Sequence, residues 1–113
     1  MFQNMVKPVN SKGGSGAIDE WENESPTSNF TAQTIPLNMT GASLVAIKQR
    51  MSTSNDAYVY GCIDIEGGET SYTVKNDTYT MRTYTVASDG VQVSIPGAGQ
   101  GNTIAIPVFI KVF

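Results

Sequence analysis

The stretch Ile104 to Val112 alternates with a period of two: Ile104, Ile106, Val108, Ile110 and Val112 fall on one side of an extended chain, whereas a helix would scatter them around its circumference. The same rhythm recurs upstream. Ala57 to Ile65 sets Val59, Ile63 and Ile65 against Tyr58, Tyr60 and Cys62, and Gly67-Gly68 closes it with turn residues. Ser43 to Met51 places Val45 and Ile47 opposite Lys48 and Arg50; a short helix is the alternative, but Gly41 before it and the Asn55-Asp56 turn after it favour a strand. A first strand is expected over Ala17 to Asn23, ended by Ser25-Pro26-Thr27-Ser28. A second is expected from about Phe30 to Met39, with Ile35 and Leu37 on one face and Pro36 marking an edge or a bulge. Thr70 to Val74 and Thr78 to Val86 predict a hairpin around Asn76-Asp77. Gly90 to Ile95 adds a short strand, followed by a glycine-rich loop over Pro96 to Gly101. About eight short strands at this spacing predict an all-β domain, a compact antiparallel β-sandwich of jelly-roll-like form.

Residues 17–113 are assigned to that domain and Met1 to Gly16 to an N-terminal arm with a Gly/Ser hinge. Three readings of the arm stay open: a frayed terminus, a strand of the domain, or a docking peptide. In the last, Phe2, Met5, Val6 and Val9 would order against a neighbouring subunit and anchor the chain to a particle.

Composition agrees with the periodicity. Charged residues make up 15% of the 113-residue chain, against ~25% in an ordinary domain. Thr and Ser stand in their place, and Thr, with its branched Cβ, favours strands. No charged residue occurs between Glu24 and Lys48 or between Asp89 and Lys111, although each interval holds strand-forming sequence. Uncharged strands are an aggregation hazard unless covered, which suggests burial against other subunits.

The net charge of -3, with scattered Lys and Arg, speaks against a nucleic-acid partner. The chain has no run long enough for a signal peptide and none near the ~20 apolar residues of a membrane span, so a soluble, cytoplasmically made protein without a membrane partner is expected. With one cysteine and no histidine, an internal disulfide is impossible and most zinc and triad chemistry is removed. No catalytic residue, metal or cofactor is assigned. The acidic clusters Asp19-Glu20-Trp21-Glu22-Asn23-Glu24 and Asp64, Glu66, Glu69 lack EF-hand spacing and read as solvated edges and turns. Cys62 has no histidine to activate it and reads as a small half-buried side chain. The loop Gly97-Ala98-Gly99-Gln100-Gly101 precedes a strand, not the helix that a phosphate loop requires. Tyr58, Tyr60, Tyr72, Tyr79 and Tyr84 either pack across strands or present rings to a sugar or a protein. Tyr58, Tyr60 and Trp21 are the candidate ligand or interface aromatics.

The run Trp21-Glu22-Asn23-Glu24-Ser25-Pro26-Thr27-Ser28-Asn29-Phe30-Thr31-Ala32-Gln33-Thr34-Ile35 resembles a W-x-N-x-x-P-T-S-x-F-x-A-Q-T-I stretch of small bacteriophage virion proteins. There it opens a compact β-domain at the C-terminal end of head-fibre, tail or baseplate components. Asn102-Thr103-Ile104-Ala105-Ile106-Pro107-Val108-Phe109-Ile110-Lys111 is similar to the closing N-x-x-x-I-P-x-x-I-x strand of that group. The resemblance implies a non-enzymatic structural role in the virion and carries no catalytic residues. Because little precedes the domain, it favours a capsid auxiliary or decoration protein, or a head-fibre or tail subunit, attached through its arm. Expected partners are copies of itself, with a trimer as working stoichiometry, and other virion proteins. The alternative is a carbohydrate-binding module that reads a host-surface glycan.

Overall fold

A computed structural model describes residues 16–97 and 100–113. Phe2, Met5, Val6 and Val9, and with them residues 1–15 of the arm, lie outside the described residues. Eight strands follow one another: β1 (Asp19–Glu22), β2 (Gln33–Pro36), β3 (Leu44–Ser52), β4 (Tyr58–Asp64), β5 (Ser71–Lys75), β6 (Met81–Ala87), β7 (Gly90–Val93) and β8 (Ile104–Val112). There is no α-helix among the described residues.

Two four-stranded sheets form, in the orders β1-β8-β3-β4 and β2-β7-β6-β5, with every pairing antiparallel. The fold is the expected β-sandwich. The pairs β1-β8, β8-β3 and β2-β7 join strands far apart in sequence and give the wrapped, jelly-roll-like course, whereas β3-β4 and β5-β6 are plain hairpins. Between the sheets, Val45 and Ile47 of β3, Ile63 of β4, Ile110 and Val112 of β8 meet Ile35, Val74, Tyr84, Val91 and Val93 of the other sheet. Each such aliphatic side chain taken from water contributes roughly 1.5–3 kcal/mol.

Several local expectations shift. The second strand is shorter than Phe30 to Met39. Only Gln33–Pro36 pairs, at the edge where Pro36 is tolerated, and Leu37 continues by donating its N–H to the Asp89 carbonyl (3.1 Å). The β5-β6 turn extends past Asn76-Asp77, because the Asp77 carboxylate accepts from the Tyr79 and Thr80 N–H groups (2.8 and 2.9 Å) and holds residues 76–80 in a loop. These two bonds also lower the Asp77 pKa below the ordinary carboxylate value.

The single apolar face expected for Ile104 to Val112 is broken. Lys48 pairs Phe109 while Gln49 pairs Pro107, so Val108 is an extra, bulged residue. Ala105, Ile106 and Pro107 are buried consecutively, and Ile104 and Val108 are only half-buried. Ala105 adopts φ 52°, a left-handed conformation unusual for a residue with a side chain.

Two glycines are required by close approach. A Cβ on Gly90 would strike the Ile35 carbonyl oxygen of the neighbouring strand. One on Gly61 would stand 2.6 Å from the Tyr72 ring and 2.8 Å from Val74 Cγ2, where β4 and β5 close one side of the sandwich.

Candidate functional site

Side chains directly opposite in an antiparallel ladder share a face, so the register sorts each sheet into an inside and an outside. On the first sheet, Glu22, Phe109, Lys48 and Tyr60 form one outward row across all four strands. The next row is Glu20, Lys111, Ala46 and Cys62. This face is charged and aromatic. Lys48 Nζ lies 4.3 Å from the Tyr58 ring centre and 5.8 Å from that of Tyr60, and Lys111 Nζ stands 4.7 Å from that of Phe109. Such exposed contacts contribute about 0.5–1 kcal/mol each.

The second sheet presents a different outer surface. Ser71, Thr85, Gln92 and Thr34 form a row across four strands, and Thr73 and Thr83 lie beside it with their hydroxyls 2.8 Å apart. Among the described residues of these strands, Lys75 at one end is the single charge directed outward. Its neutrality follows from the two charge-free intervals of the sequence, which supply β2 and β7 as neighbours.

The tyrosines divide. Tyr58 and Tyr60 are 41% and 64% exposed on the outer face of β4, so their candidacy as ligand or interface aromatics is sterically open. Tyr79 is exposed in the β5-β6 turn, and Tyr72 lies over Gly61. Tyr84 is in the core. Trp21 does not join Tyr58 and Tyr60: it sits on the opposite edge strand and faces inward opposite Ile110, with its ring edge-on to Phe30 at 6.0 Å and 63°. Cys62, expected to be half-buried, is exposed, because the outward row of β4 carries it. Among the described residues no group of three or more Cys, Asp or Glu side chains comes together that could hold a metal ion.

The feature that the sequence reading missed is a pair of buried polar clusters. Arg82 faces the core from β6 and is fully buried. Its Nε donates to the Ala105 carbonyl (2.6 Å), Nη1 to Ser94 (2.9 Å), and Nη2 to Phe30 (2.7 Å) and Ile104 (3.3 Å), with the guanidinium 5.3 Å from the Phe30 ring centre. Burial lowers its pKa, and Tyr84 acts in the opposite direction.

Beside it, the Tyr84 hydroxyl donates to Gln49 Oε1 (2.8 Å). Gln49 Nε2 donates to the Val74 carbonyl (3.1 Å) and to Asn76 Oδ1 (2.9 Å), and Asn76 Nδ2 donates to the Met51 carbonyl (2.8 Å). Burial raises the Tyr84 pKa, partly countered by Arg82. Both clusters tie one sheet to the other through carbonyls and amides, so their chemistry is that of cross-links. The signal available in the sequence was parity: Gln49 follows Val45 and Ile47 at the inward spacing, and Arg82 precedes Tyr84 and Val86 at theirs.

The clusters also explain the two stretches Trp21 to Ile35 and Asn102 to Lys111. Phe30 donates its N–H to the Asn102 carbonyl (3.0 Å) and gives its own carbonyl to Arg82. Asn23 Nδ2 donates to the Pro107 carbonyl (2.8 Å), and the Asn23 N–H donates to that of Val108 (2.8 Å). The two stretches form one contiguous unit along the β1-β8 side of the molecule.

No family model, no curated protein and no solved structure matches this chain.

Proposed function

We propose that this protein is a non-enzymatic structural subunit of a bacteriophage particle, a capsid auxiliary or a head-fibre or tail component that works by association with copies of itself and with other virion proteins. The observation that carries this reading is the neutral outer face of the second sheet. A row of Ser71, Thr85, Gln92 and Thr34 across four strands can be covered by another protein surface without desolvating a charge. The resemblance of the opening and closing stretches to virion β-domains supplies the particle. Size-exclusion chromatography with light scattering tests the association. The chain is expected to form a discrete oligomer at micromolar concentration and to bind purified particles of its phage, with Thr85→Lys and Gln92→Lys weakening the oligomer. A monomer that ignores those particles would overturn the reading.

A second reading, a carbohydrate-binding module, is favoured by one observation: Tyr58 and Tyr60 project from β4 beside Lys48, a ring platform with a polar neighbour. A glycan array with Tyr58→Ala and Tyr60→Ala controls decides it. Binding lost in both variants supports a sugar site, and no binding by the parent chain removes it.

A further inference from the structure

We infer that the outer face of the β3-β4 hairpin binds an acidic saccharide, its sugar ring laid on Tyr60 and its carboxylate held by Lys48 and Arg50, an inference that rests on the second reading above. Tyr58 draws the two cations together. Lys48 Nζ lies 4.3 Å from the Tyr58 ring centre and Arg50 Nη1 lies 3.5 Å from the Tyr58 hydroxyl, so both gather around one phenol. The ladder sets no acid opposite either: Lys48 stands between Tyr60 and Phe109, and Arg50 between Tyr58 and Ile106. Two like charges held side by side repel, and an anion placed between them removes that cost.

Each side chain has a distinct part. A ring face attracts the Lys48 ammonium without giving it an acceptor oxygen. Arg50 Nε donates to the Ser52 carbonyl (2.8 Å), which fixes the guanidinium against its own strand and leaves Nη2 without an acceptor among the described residues. A planar fork anchored in this way offers its remaining donors to a carboxylate, the group whose geometry it matches. Tyr60 is exposed and follows Tyr58 by two residues on the same outward face, roughly 7 Å along the strand. Lys48 Nζ is 5.8 Å from its ring centre, so ring and cations are within reach of one sugar. In the next row Ala46 and Cys62 are both small, which leaves that side of Tyr60 open to a flat ring.

The surrounding charges limit the ligand to an isolated anionic group. Asp56 precedes β4, Asp64 ends it, and Glu22 closes the row that runs from Tyr60 through Lys48 and Phe109. A phosphate backbone crossing this face would meet those carboxylates on a chain whose net charge is -3, whereas a nucleic-acid groove carries cations along its length. One carboxylate attached to a ring that can lie on an aromatic face is the chemistry of a carboxylated sugar.

The test reads binding of the full-length chain to an array that carries oligogalacturonate and sialyllactose beside methyl-esterified oligogalacturonate and lactose, with an oligothymidylate as polyanion control. At least one carboxylated probe is expected to bind about tenfold more tightly than its neutral counterpart. Lys48→Gln and Arg50→Gln should each abolish that preference, and Tyr60→Ala should weaken binding of the carboxylated probe. Urea midpoints equal to the parent's show that the variants fold; should Arg50→Gln fall short, Lys48→Gln decides alone. Equal binding of carboxylated and neutral probes, unchanged in both cation variants, overturns this inference while the sugar reading stands. A preference for carboxylated probes that survives both substitutions overturns it too, because the anion is then held elsewhere. Oligothymidylate bound as tightly as the carboxylated sugars overturns it in favour of a polyanion surface. A parent that binds no sugar on the array overturns this inference and the sugar reading together.

Discussion

Replacing Arg82 by methionine isolates what the buried guanidinium contributes, because Met fills most of the same volume without a donor. Four carbonyls, those of Phe30, Ser94, Ile104 and Ala105, receive its hydrogen bonds. Bonds from a charged donor are worth about 1.5–3 kcal/mol each, and a buried acceptor left bare costs about 1–3 kcal/mol. The opposing effect is that Met removes the desolvation penalty of a buried charge, several kcal/mol. The longest bond, to Ile104, is the weakest, which leaves three strong acceptors to orphan. The net loss expected is therefore roughly 3–5 kcal/mol, a large share of the ~5–15 kcal/mol that stabilises a typical domain. Arg82→Lys should also be destabilising, since a single ammonium cannot span carbonyls that the planar fork reaches on several sides. Urea titration followed by fluorescence measures this directly. Trp21, the sole tryptophan, contacts Phe30, whose carbonyl and ring both meet Arg82. A loss below about 1 kcal/mol for Arg82→Met, with Trp21 emission unchanged, would refute the argument that these carbonyls depend on the guanidinium.

Gly90→Ala should be more damaging than Gly61→Ala. The new methyl at position 90 meets the Ile35 backbone carbonyl, which cannot move without breaking the β2-β7 ladder, whereas at 61 it meets the Tyr72 ring and Val74, which can shift at about 1–3 kcal/mol; thermal melts of both variants rank them. Raised by burial, the Tyr84 pKa in the folded state exceeds its unfolded value of 10.0, so the stability linked to it is fully present below pH 10 and is lost as the pH rises beyond that. Urea midpoints measured from pH 8 to 11 should fall at the alkaline end, with a smaller fall in Tyr84→Phe. Gln49→Leu removes the acceptor of Tyr84 and the donor to Val74 and Asn76, and a destabilisation of roughly 2–4 kcal/mol is expected by urea denaturation. By contrast Tyr60→Ala, at a side chain 64% exposed, should change the urea midpoint by less than about 1 kcal/mol.

The number of strands, their approximate places and the sandwich class were legible in the sequence, because a period-two pattern is a local property: Val45 and Ile47, or Val59 and Ile63, need no knowledge of partners to declare an inward face. The neutral stretches were legible for the same reason. What faces them was not, since only the antiparallel register of β2, β7, β6 and β5 turns two distant charge-free intervals into one surface. The bulge at Val108 could not be read from Ile104 to Val112, because a bulge is defined by its partner, the Lys48 to Gln49 step of β3. Arg82 and Gln49 looked like ordinary polar residues of two strands. Their burial became permissible only when the fold delivered carbonyls and amides from distant segments to each of their polar atoms, and a buried charge or amide is tolerated on no other terms. Local chemistry thus determined which segments of this chain are strands, and long-range pairing decided which surfaces they make and which polar groups hold the two sheets together.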